Sequence, residues 1–415
     1  MRRQRGRNRI GGYPAALSLD FLNAPQSAAS ALTFTRASTG TYFDAAGVLQ
    51  TAAIDVPRFD YDPATLQPRG LLIEEQRTNL LTYSQAFDNA AWTKGTASVT
   101  ANAVTAPDGT ASADKFVASS SSATSHYLAQ QFASSPADNT TYTVSVYAKS
   151  AEITKLLIQV RDKAAGYGTQ TFDLSAVSAT AGGAVSSTGS ITPIRSGWYR
   201  CSVTWSVGAG VSLSTFAAEI FLLNSSGAVS FAGDGVSGLY LWQAQAEAGA
   251  FATSPIPTTT AAATRSADIC TMPLASVAGW NGSEGTIVVD ASSQLTAYRP
   301  IIQIDDGSAN NRLYLDLNSG TVRAVSTASG ANQCLISLST ISADVRFSVA
   351  AAYALNNCAA SMNGAPAVVD VTAAMPTTTT LRIGYDSANF LNGYIRRLRL
   401  YGRRQPDAVL QGMTA

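Results

Sequence analysis

The chain has 415 residues, enough for two or three domains with sizeable hydrophobic cores. Its formal net charge is +1, 46% of its residues are hydrophobic, and only 13% are charged, about half of the usual quarter. This composition excludes a disordered chain, which needs high net charge and few apolar residues, and it gives no overall attraction to nucleic acid or membranes. Thr, Val, Tyr and Gly are frequent, whereas runs of strong helix formers are scarce, so we predict an all-β fold.

The N-terminal segment, residues 1–33, is predicted to be a basic anchoring arm. It carries five arginines within nine residues, namely Arg2, Arg3, Arg5, Arg7 and Arg9. Such a terminus orders against an acidic partner or stays solvated, and both alternatives remain open. Nucleic-acid binding is disfavoured because no interleaved aromatic residues or recognition helix follow. Pro14 and Asp20 interrupt the only candidate signal peptide, and no run of 18 apolar residues predicts a membrane span.

Residues 34–85 are predicted to form an extended strand-and-turn connector. Short apolar groups such as Tyr42-Phe43 and Leu71-Leu72-Ile73 alternate with Gly, Pro and Asp. This pattern is typical of a segment that packs on a larger body instead of folding alone.

Residues 86–256 are predicted to form a jelly-roll β-sandwich. In the sequence CSVTWSV, Val203, Trp205 and Val207 share one face of a strand, while the intervening Ser and Thr residues share the other. Turn residues bound each predicted strand. The predicted strands are Tyr142–Ser150, Lys155–Asp162, Gly197–Val207, Thr215–Asn224 and Gly238–Glu247.

A linker is predicted at 257–268, within a Thr, Ala and Pro stretch that starts at 253. A second β-sandwich follows at 269–404, and a short tail occupies 405–415. Asn318-Ser319-Gly320 and Asn363-Gly364 lie between apolar runs, as expected of hairpin turns. The predicted strands are Gly285–Ala291, Arg299–Gly307, Arg312–Gly320, Val345–Tyr353, Thr379–Asp386 and Asn392–Arg403.

Three runs in the connector resemble a segment of virion proteins from tailed phages, prophages and gene-transfer agents. These runs are Arg36–Thr39, Pro57–Asp62, and Gly70–Glu75 followed by Arg77–Leu81. The first sandwich resembles carbohydrate-binding modules through Pro107–Thr110, Ala113–Lys115, Gly197–Arg200, Gly238–Trp242 and Glu247. The second resembles laminin-G or concanavalin-A-like domains in the order of its strands.

Catalytic chemistry is not predicted. His126 is the single histidine, and neither a G-x-S-x-G nor a phosphate-binding loop motif is present. Glu74 and Glu75 are neighbours on a strand and point to opposite faces. Asp60 and Asp62 precede Pro63 and are explained by a turn that caps its own backbone. The four cysteines are too widely spaced for a zinc site, and the sequence leaves open whether Cys334 and Cys358 pair.

A candidate carbohydrate-binding site is predicted from residues that pair aromatic faces with hydroxyl-binding groups. Its residues are Tyr298, Asp305, Asp306, Asn310, Asn311, Arg312 and, in the first sandwich, Trp92. A solvated hairpin is the alternative for the 305–312 loop. Calcium is left open as a ligand of the second sandwich, although no metal motif matches and calcium needs about six oxygens.

The resemblance implies a non-enzymatic head-spike, head-fibre or tail-fibre protein. The expected partners are capsid, portal or other virion proteins at the N-terminal region and host surface polysaccharide at the sandwiches. A homo-oligomer, with a trimer as one form, is expected on a particle assembled in the bacterial cytoplasm. A capsid decoration protein without glycan binding and a capsular polysaccharide depolymerase remain as alternatives.

Overall fold

The structure, a computed structural model, describes residues 14–132, 136–162, 166–209 and 217–415. The five arginines of the predicted anchor therefore lie outside the described residues. Strands dominate the fold, and the two α-helices are short, which confirms the predicted all-β class. No helix in the described part of the chain is long and apolar enough to cross a membrane.

The N-terminal part of the chain contributes one short helix and seven strands. These elements are β1 Leu17–Asp20, α1 Pro25–Ala29, β2 Thr33–Thr35, β3 Gly40–Phe43, β4 Leu49–Ala52, β5 Phe59–Tyr61, β6 Pro68–Ile73 and β7 Arg77–Asn79.

The middle of the chain forms the first sandwich. Its strands are β8 Thr93–Gly95, β9 Ala97–Val104, β10 Ala113–Ala118, β11 Thr124–Ser125, β12 Tyr127–Gln131, β13 Thr141–Ser150, β14 Lys155–Asp162, β15 Gly166–Asp173, β16 Ser178–Gly183, β17 Ser187–Pro193, β18 Trp198–Ser206, β19 Ala217–Leu223, β20 Ser230–Phe231 and β21 Gly238–Ala248.

The C-terminal part supplies most of the second sandwich. Its elements are β22 Ala263–Arg265, β23 Ile269–Pro273, β24 Glu284–Ser293, β25 Arg299–Asp305, β26 Arg312–Asn318, β27 Thr321–Ala328, β28 Ala331–Thr340, β29 Phe347–Ala354, β30 Cys358–Met362, β31 Val368–Asp370, β32 Thr380–Ile383, β33 Gly393–Tyr401 and α2 Asp407–Thr414.

The first sandwich consists of two six-stranded sheets, ordered β17-β18-β13-β21-β10-β9 and β16-β15-β14-β19-β12-β8. Side chains that alternate along each strand fill the space between the sheets. In β18, Val203 and Trp205 are buried in this core, whereas Ser202 and Thr204 lie on the opposite face, as the sequence predicts.

The second sandwich recruits strands from the N-terminal part of the chain. Its front sheet has the order β31-β30-β29-β24-β33-β6-β5, and β1 also pairs with β33. Its back sheet has the order β2-β23-β32-β25-β26-β27-β28. Leu19, Leu71 and Ile73 belong to the shared core. Part of the predicted arm and connector is therefore built into this domain, because their alternating apolar residues complete its core.

The β3–β4 hairpin packs instead on the first sandwich. Phe43 and Leu49 join Trp198 and Trp242 in a small apolar cluster. The connector thus contacts both sandwiches, since β5 and β6 lie in the second and the hairpin lies against the first.

The segment predicted as a linker is anchored at both ends, while most of its residues from 257 to 264 are exposed. Thr253, Ile256 and Arg265 are buried, and β22 pairs with β7. Asn79 fixes the segment to the first sandwich, because its Nδ2 donates to the carbonyl oxygens of Ala244 at 3.1 Å and Ile256 at 2.9 Å. Thr258 also satisfies buried backbone, because its hydroxyl donates to the Leu81 carbonyl oxygen at 2.8 Å.

All four cysteines are buried free thiols. Cys334 and Cys358 lie close together between the sheets of the second sandwich. A hydrogen bond between the two side chains raises the pKa of Cys334 and lowers the pKa of Cys358. They are not joined as a disulfide in this structure.

Candidate functional site

The predicted carbohydrate-binding loop forms a hairpin between β25 and β26, as the alternative interpretation expects. Asp306 stabilises this turn, since its carboxylate accepts the Ser308 N–H at 2.9 Å and the Asn311 side-chain amide at 2.8 Å. Asp305 is only 1% exposed, and Arg382 donates to its Oδ2 at 2.6 Å. Asp305 is therefore a structural partner of Arg382 and does not present its carboxylate to a ligand.

Of the other predicted binding residues, Asn310, Asn311 and Arg312 belong to this loop, whereas Tyr298 and Trp92 lie elsewhere. Tyr298 lies at the opposite end of β25, where its hydroxyl donates to Asp386 at 3.1 Å. Arg312 lies over the Tyr314 ring at 4.4 Å. Asn310 is exposed in the turn, where its carbonyl oxygen accepts the Gly330 N–H.

Trp92 was predicted as a carbohydrate-binding residue, but it lies in the core of the first sandwich. Its side chain is 1% exposed, its ring centre lies 4.9 Å from that of Phe87, and its Nε1 donates to the Tyr83 carbonyl oxygen at 3.1 Å. A sugar cannot stack on this indole without opening the first sandwich.

No group of three or more His, Cys, Asp or Glu side chains within the described ranges is arranged to hold a metal ion. Asp305 and Asp306, the carboxylates of the predicted loop, are already engaged by Arg382 and by the turn. The loop thus does not present the set of about six oxygens that calcium requires.

His126 is buried and structural. Its Nδ1 lies 2.6 Å from the Thr96 carbonyl oxygen and its Nε2 lies 3.1 Å from that of Phe231. Both ring nitrogens are thus occupied by backbone, so the imidazole joins two loops of the first sandwich.

The charged residues of the virion-type segment form a buried ionic cluster, which we define as Arg36, Arg58, Glu74, Arg265 and Asp268. None of the five is more than 4% exposed. One member comes from each of the three runs of the resembling segment, and the other two come from the far end of the predicted linker.

Arg58 is the centre of this ionic cluster. Its guanidinium donates to Glu74 at 2.7 Å and to Asp268 at 2.5 Å. Arg36 donates to the other oxygen of Asp268 at 3.2 Å. Ser254 completes the shell of Glu74 through its N–H at 2.8 Å and its hydroxyl at 2.6 Å.

The cluster keeps Glu74 ionised. Burial alone raises the pKa of this carboxyl, but Arg265, Arg58 and the Ser254 hydrogen bonds outweigh burial and lower the pKa to about 2. Arg58 is affected in the same manner: burial lowers its pKa, and Asp268 and Glu74 more than offset that effect. The cluster therefore joins connector and linker through ion pairs that three arginines form with two carboxylates.

An open depression with a volume of about 1520 Å³ lies on the outer face of the front sheet. We call it the outer groove. It follows β1, β33, β24 and β29, and helix α2 borders it where Leu410 packs against Val288 and Tyr401. Because strand residues alternate between faces, Ile287 and Val289 point to the core while Val288 and Asp290 line the groove.

The outer groove carries both donors and acceptors. Arg346 binds Asp290 through two hydrogen bonds of 2.8 and 2.5 Å, and its side chain is 58% exposed. Arg397 lies 3.5 Å from Asp20. Arg399 also lines the groove, and within the described ranges its side chain takes part in no hydrogen bond or ion pair.

The spacing of residues in the last predicted strand indicates this groove, although the overall composition does not. Arg397, Arg399 and Tyr401 occur at every second position of a predicted strand, which places them on one face. Three large polar or aromatic side chains on one face of a terminal strand indicate a surface built for contact. The partners Asp20, Asp290 and Arg346 are far away in sequence, so only the tertiary structure brings them there.

No protein-family model matches the chain, and no curated protein matches it. Among solved structures, it is similar to the CBM40 module of a Ruminococcus gnavus IT-sialidase bound to α2,3-sialyllactose, with 17% identity and a TM-score of 0.30 over 32% of this chain and 84% of that chain.

Two other solved structures resemble the chain to a similar degree. The receptor-binding domain of botulinum neurotoxin mosaic serotype C/D shows 11% identity and a TM-score of 0.28, over 35% of this chain and 40% of that chain. Domains LG4–5 of the mouse laminin α1 chain show 12% identity and a TM-score of 0.23, over 69% and 90%. Likenesses this weak carry no conclusion about ligands, and the fold assignment rests on the sheets themselves.

Proposed function

We propose that this protein is a non-enzymatic structural component of a phage or gene-transfer-agent particle that binds host surface polysaccharide through the outer groove. In this proposal the N-terminal region attaches the protein to the capsid, the portal or another virion protein. The two sandwiches project outward as a head spike, head fibre or tail fibre.

The virion assignment is supported by the three resembling runs between Arg36 and Leu81. The structure gives these runs a shared physical role, because Arg36, Arg58 and Glu74 all enter the buried ionic cluster. A segment that must bury such a cluster between two sandwiches tolerates few substitutions, since removing one charge leaves its partners uncompensated.

Polysaccharide binding is supported by a single observation, the outer groove itself. An open groove of about 1520 Å³ accommodates several sugar units without closing around a chain end. Guanidinium donors and carboxylate acceptors suit hydroxyl groups, which both donate and accept. Individual contacts of millimolar strength are sufficient when many copies on one particle act together.

An array of bacterial capsular and O-antigen polysaccharides, probed with the full chain, tests this proposal. We expect the double variant Arg397→Glu/Arg399→Glu to lose at least tenfold in retention on every polysaccharide bound by the parent. Arg195→Glu is the matched control, since this exposed arginine lies in the first sandwich and should retain binding.

Three outcomes would count against the proposal. Retention unchanged in the double variant would remove the groove as the site. Silence on the whole array together with retained binding to particles would favour the capsid decoration protein. New reducing ends after incubation with a bound polysaccharide would show a depolymerase.

A further inference from the structure

A second depression, distinct from the outer groove, lies between the two sandwiches and beneath the connector. We call it the interdomain cleft. Its volume is about 520 Å³, within the range of roughly 300–1,000 Å³ that is typical of small-molecule sites. Its walls come from the β3–β4 hairpin, from β17 and β18, from residues 250–255, and from the loop that leads into β33.

One wall of the interdomain cleft is a hydroxyl surface. It consists of Thr188, Ser190 and Thr192 on β17 and Ser202 and Thr204 on β18. These residues alternate with side chains that face the sandwich core, so they share one outward face. Five hydroxyl groups on one wall match a ligand that itself carries several hydroxyls, because each can act as donor or acceptor.

Two donors at the interdomain cleft have no partner among the described residues. Asn392 is 1% exposed, its Oδ1 accepts the Glu75 N–H at 2.9 Å, and its Nδ2 is unpaired. Arg200 donates through both terminal nitrogens, to Thr253 O at 2.7 Å and to Ser145 Oγ at 3.0 Å, while its Nε is unpaired. Buried donors are normally satisfied, so these two atoms leave unused hydrogen-bonding capacity in the wall of the cleft, although neither atom is itself exposed to solvent.

Aromatic side chains give the cleft an apolar surface beside the hydroxyl wall. Tyr42 and Phe251 line the cleft and are half-buried. Arg77 covers one face of the Phe251 ring, with its guanidinium carbon 5.5 Å from the ring centre. Half-exposed rings of this kind cover the C–H face of a pyranose.

Charged side chains of both signs line the cleft, namely Asp60, Glu74, Asp344, Arg69 and Arg200. Asp60 accepts hydrogen bonds from the Tyr394 hydroxyl at 2.7 Å and the Phe43 N–H at 2.6 Å. Arg69 is paired with Asp62 at 2.7 Å. A ligand that enters this cleft therefore meets hydroxyls, rings and charges of both signs, and three carboxylates against two guanidinium groups disfavour an anionic sugar.

We infer that the interdomain cleft binds a neutral mono- or disaccharide, with Asn392 and Arg200 as hydrogen-bond donors and Tyr42 and Phe251 as stacking surfaces. The inference does not depend on the outer groove or on the particle role. The two sites differ in form, because the groove is open along a sheet face while the cleft is bounded by both sandwiches.

Saturation-transfer NMR on the full chain tests this inference, with glucose, galactose, maltose and lactose as probes at millimolar concentration. We expect transfer to at least one of them, and its loss in Ser190→Trp, which fills the cleft, and in Phe251→Ala. Ser178→Trp is the matched control, because Ser178 is an exposed serine on the edge strand β16 and does not line the cleft. The groove variant Arg399→Glu should also leave transfer unchanged.

Absence of transfer from all four probes would overturn the inference. Transfer that survives both Ser190→Trp and Phe251→Ala would also overturn it, and loss in Arg399→Glu alone would assign the sugar to the outer groove. Glucuronate, which has a carboxylate in place of the C6 hydroxymethyl group of glucose, should bind more weakly than glucose; tighter binding would contradict the neutral class.

Discussion

At the residue scale, the acidic residues of the connector have different roles, and these roles depend on how deeply each side chain is buried. Glu74 enters the ionic cluster while Glu75 is half-buried, but both lie between β6 and β7 and not on a strand, so the predicted strand alternation does not explain their different environments. Asp62 caps its own turn through the N–H groups of Ala64 and Thr65, as predicted. Asp60 does not follow the prediction, because it is buried and accepts hydrogen bonds from Tyr394 and Phe43.

The ionic cluster makes stability depend on acid pH through Glu74. Its pKa is about 2 in the fold and about 4.5 in an unfolded chain, so the folded protein binds fewer protons between these values. The stabilisation is complete above about pH 5 and is lost as the pH falls toward 2. A shift of this size corresponds to roughly 3 kcal/mol.

We therefore predict that the free energies of unfolding of the parent and of Glu74→Gln converge as the pH is lowered from 5 to 2. The variant should be less stable at neutral pH by several kcal/mol, because Arg58 and Arg265 lose a buried partner. Urea unfolding at a series of pH values measures the difference. Comparing the two proteins separates Glu74 from Asp60, whose pKa is raised by burial and which acts in the opposite direction. A difference that stays constant with pH would contradict the prediction.

At the element scale, the second sandwich depends on strands that sequence patterns assign to other segments. The last strand, β33, pairs with β24 along one edge. Its other edge is shared, because β6 pairs with Gly393–Ile395 and β1 pairs with Arg397–Leu400. Strand β1 therefore covers backbone groups that would otherwise be an open edge.

We predict that Leu19→Ala in β1 destabilises the protein by about 2–5 kcal/mol, because this side chain is 2% exposed in the core of the second sandwich. Deleting residues 1–12 should leave the unfolding transition unchanged, since β1 starts at Leu17. Thermal unfolding of both variants measures the contrast. Equal effects of the two changes would show that β1 does not stabilise this sandwich. In the proposed function, the 1–12 deletion should also abolish incorporation into particles.

At the scale of the whole molecule, the two sandwiches differ in autonomy. All strands of the two six-stranded sheets lie between Thr93 and Ala248. The second sandwich instead needs β1, β2, β5 and β6 from the N-terminal part of the chain. In sequence, the first sandwich therefore lies between the N-terminal strands of the second sandwich and the rest of that domain.

We predict that a fragment of residues 80–260 folds by itself, whereas a fragment of residues 269–404 does not. The second fragment lacks four strands and the core residues Leu19, Phe21, Leu71 and Ile73. Amide dispersion in NMR spectra and cooperative thermal unfolding distinguish the two. A cooperatively folded 269–404 fragment would show that the N-terminal strands are additions to a complete domain.

Residue types and alternation along the chain determined the all-β class, most long strands, the buried tryptophans of β18 and β21, and the hairpin at Asp306. These features depend on neighbours within a few residues. Tertiary structure alone decided that β1, β5 and β6 complete the second sandwich, that both ends of the predicted linker are anchored, and that Trp92 and Asp305 are unavailable to a ligand.

The ionic cluster, the outer groove and the interdomain cleft likewise exist only in three dimensions. Asp268 meets Arg36 across 232 positions of sequence, and Asn392 reaches Glu75 across 317. Strand pairing between distant segments sets these contacts, and a local pattern contains no information about which strands pair. The sequence by itself therefore determined the elements, and long-range packing determined the sites.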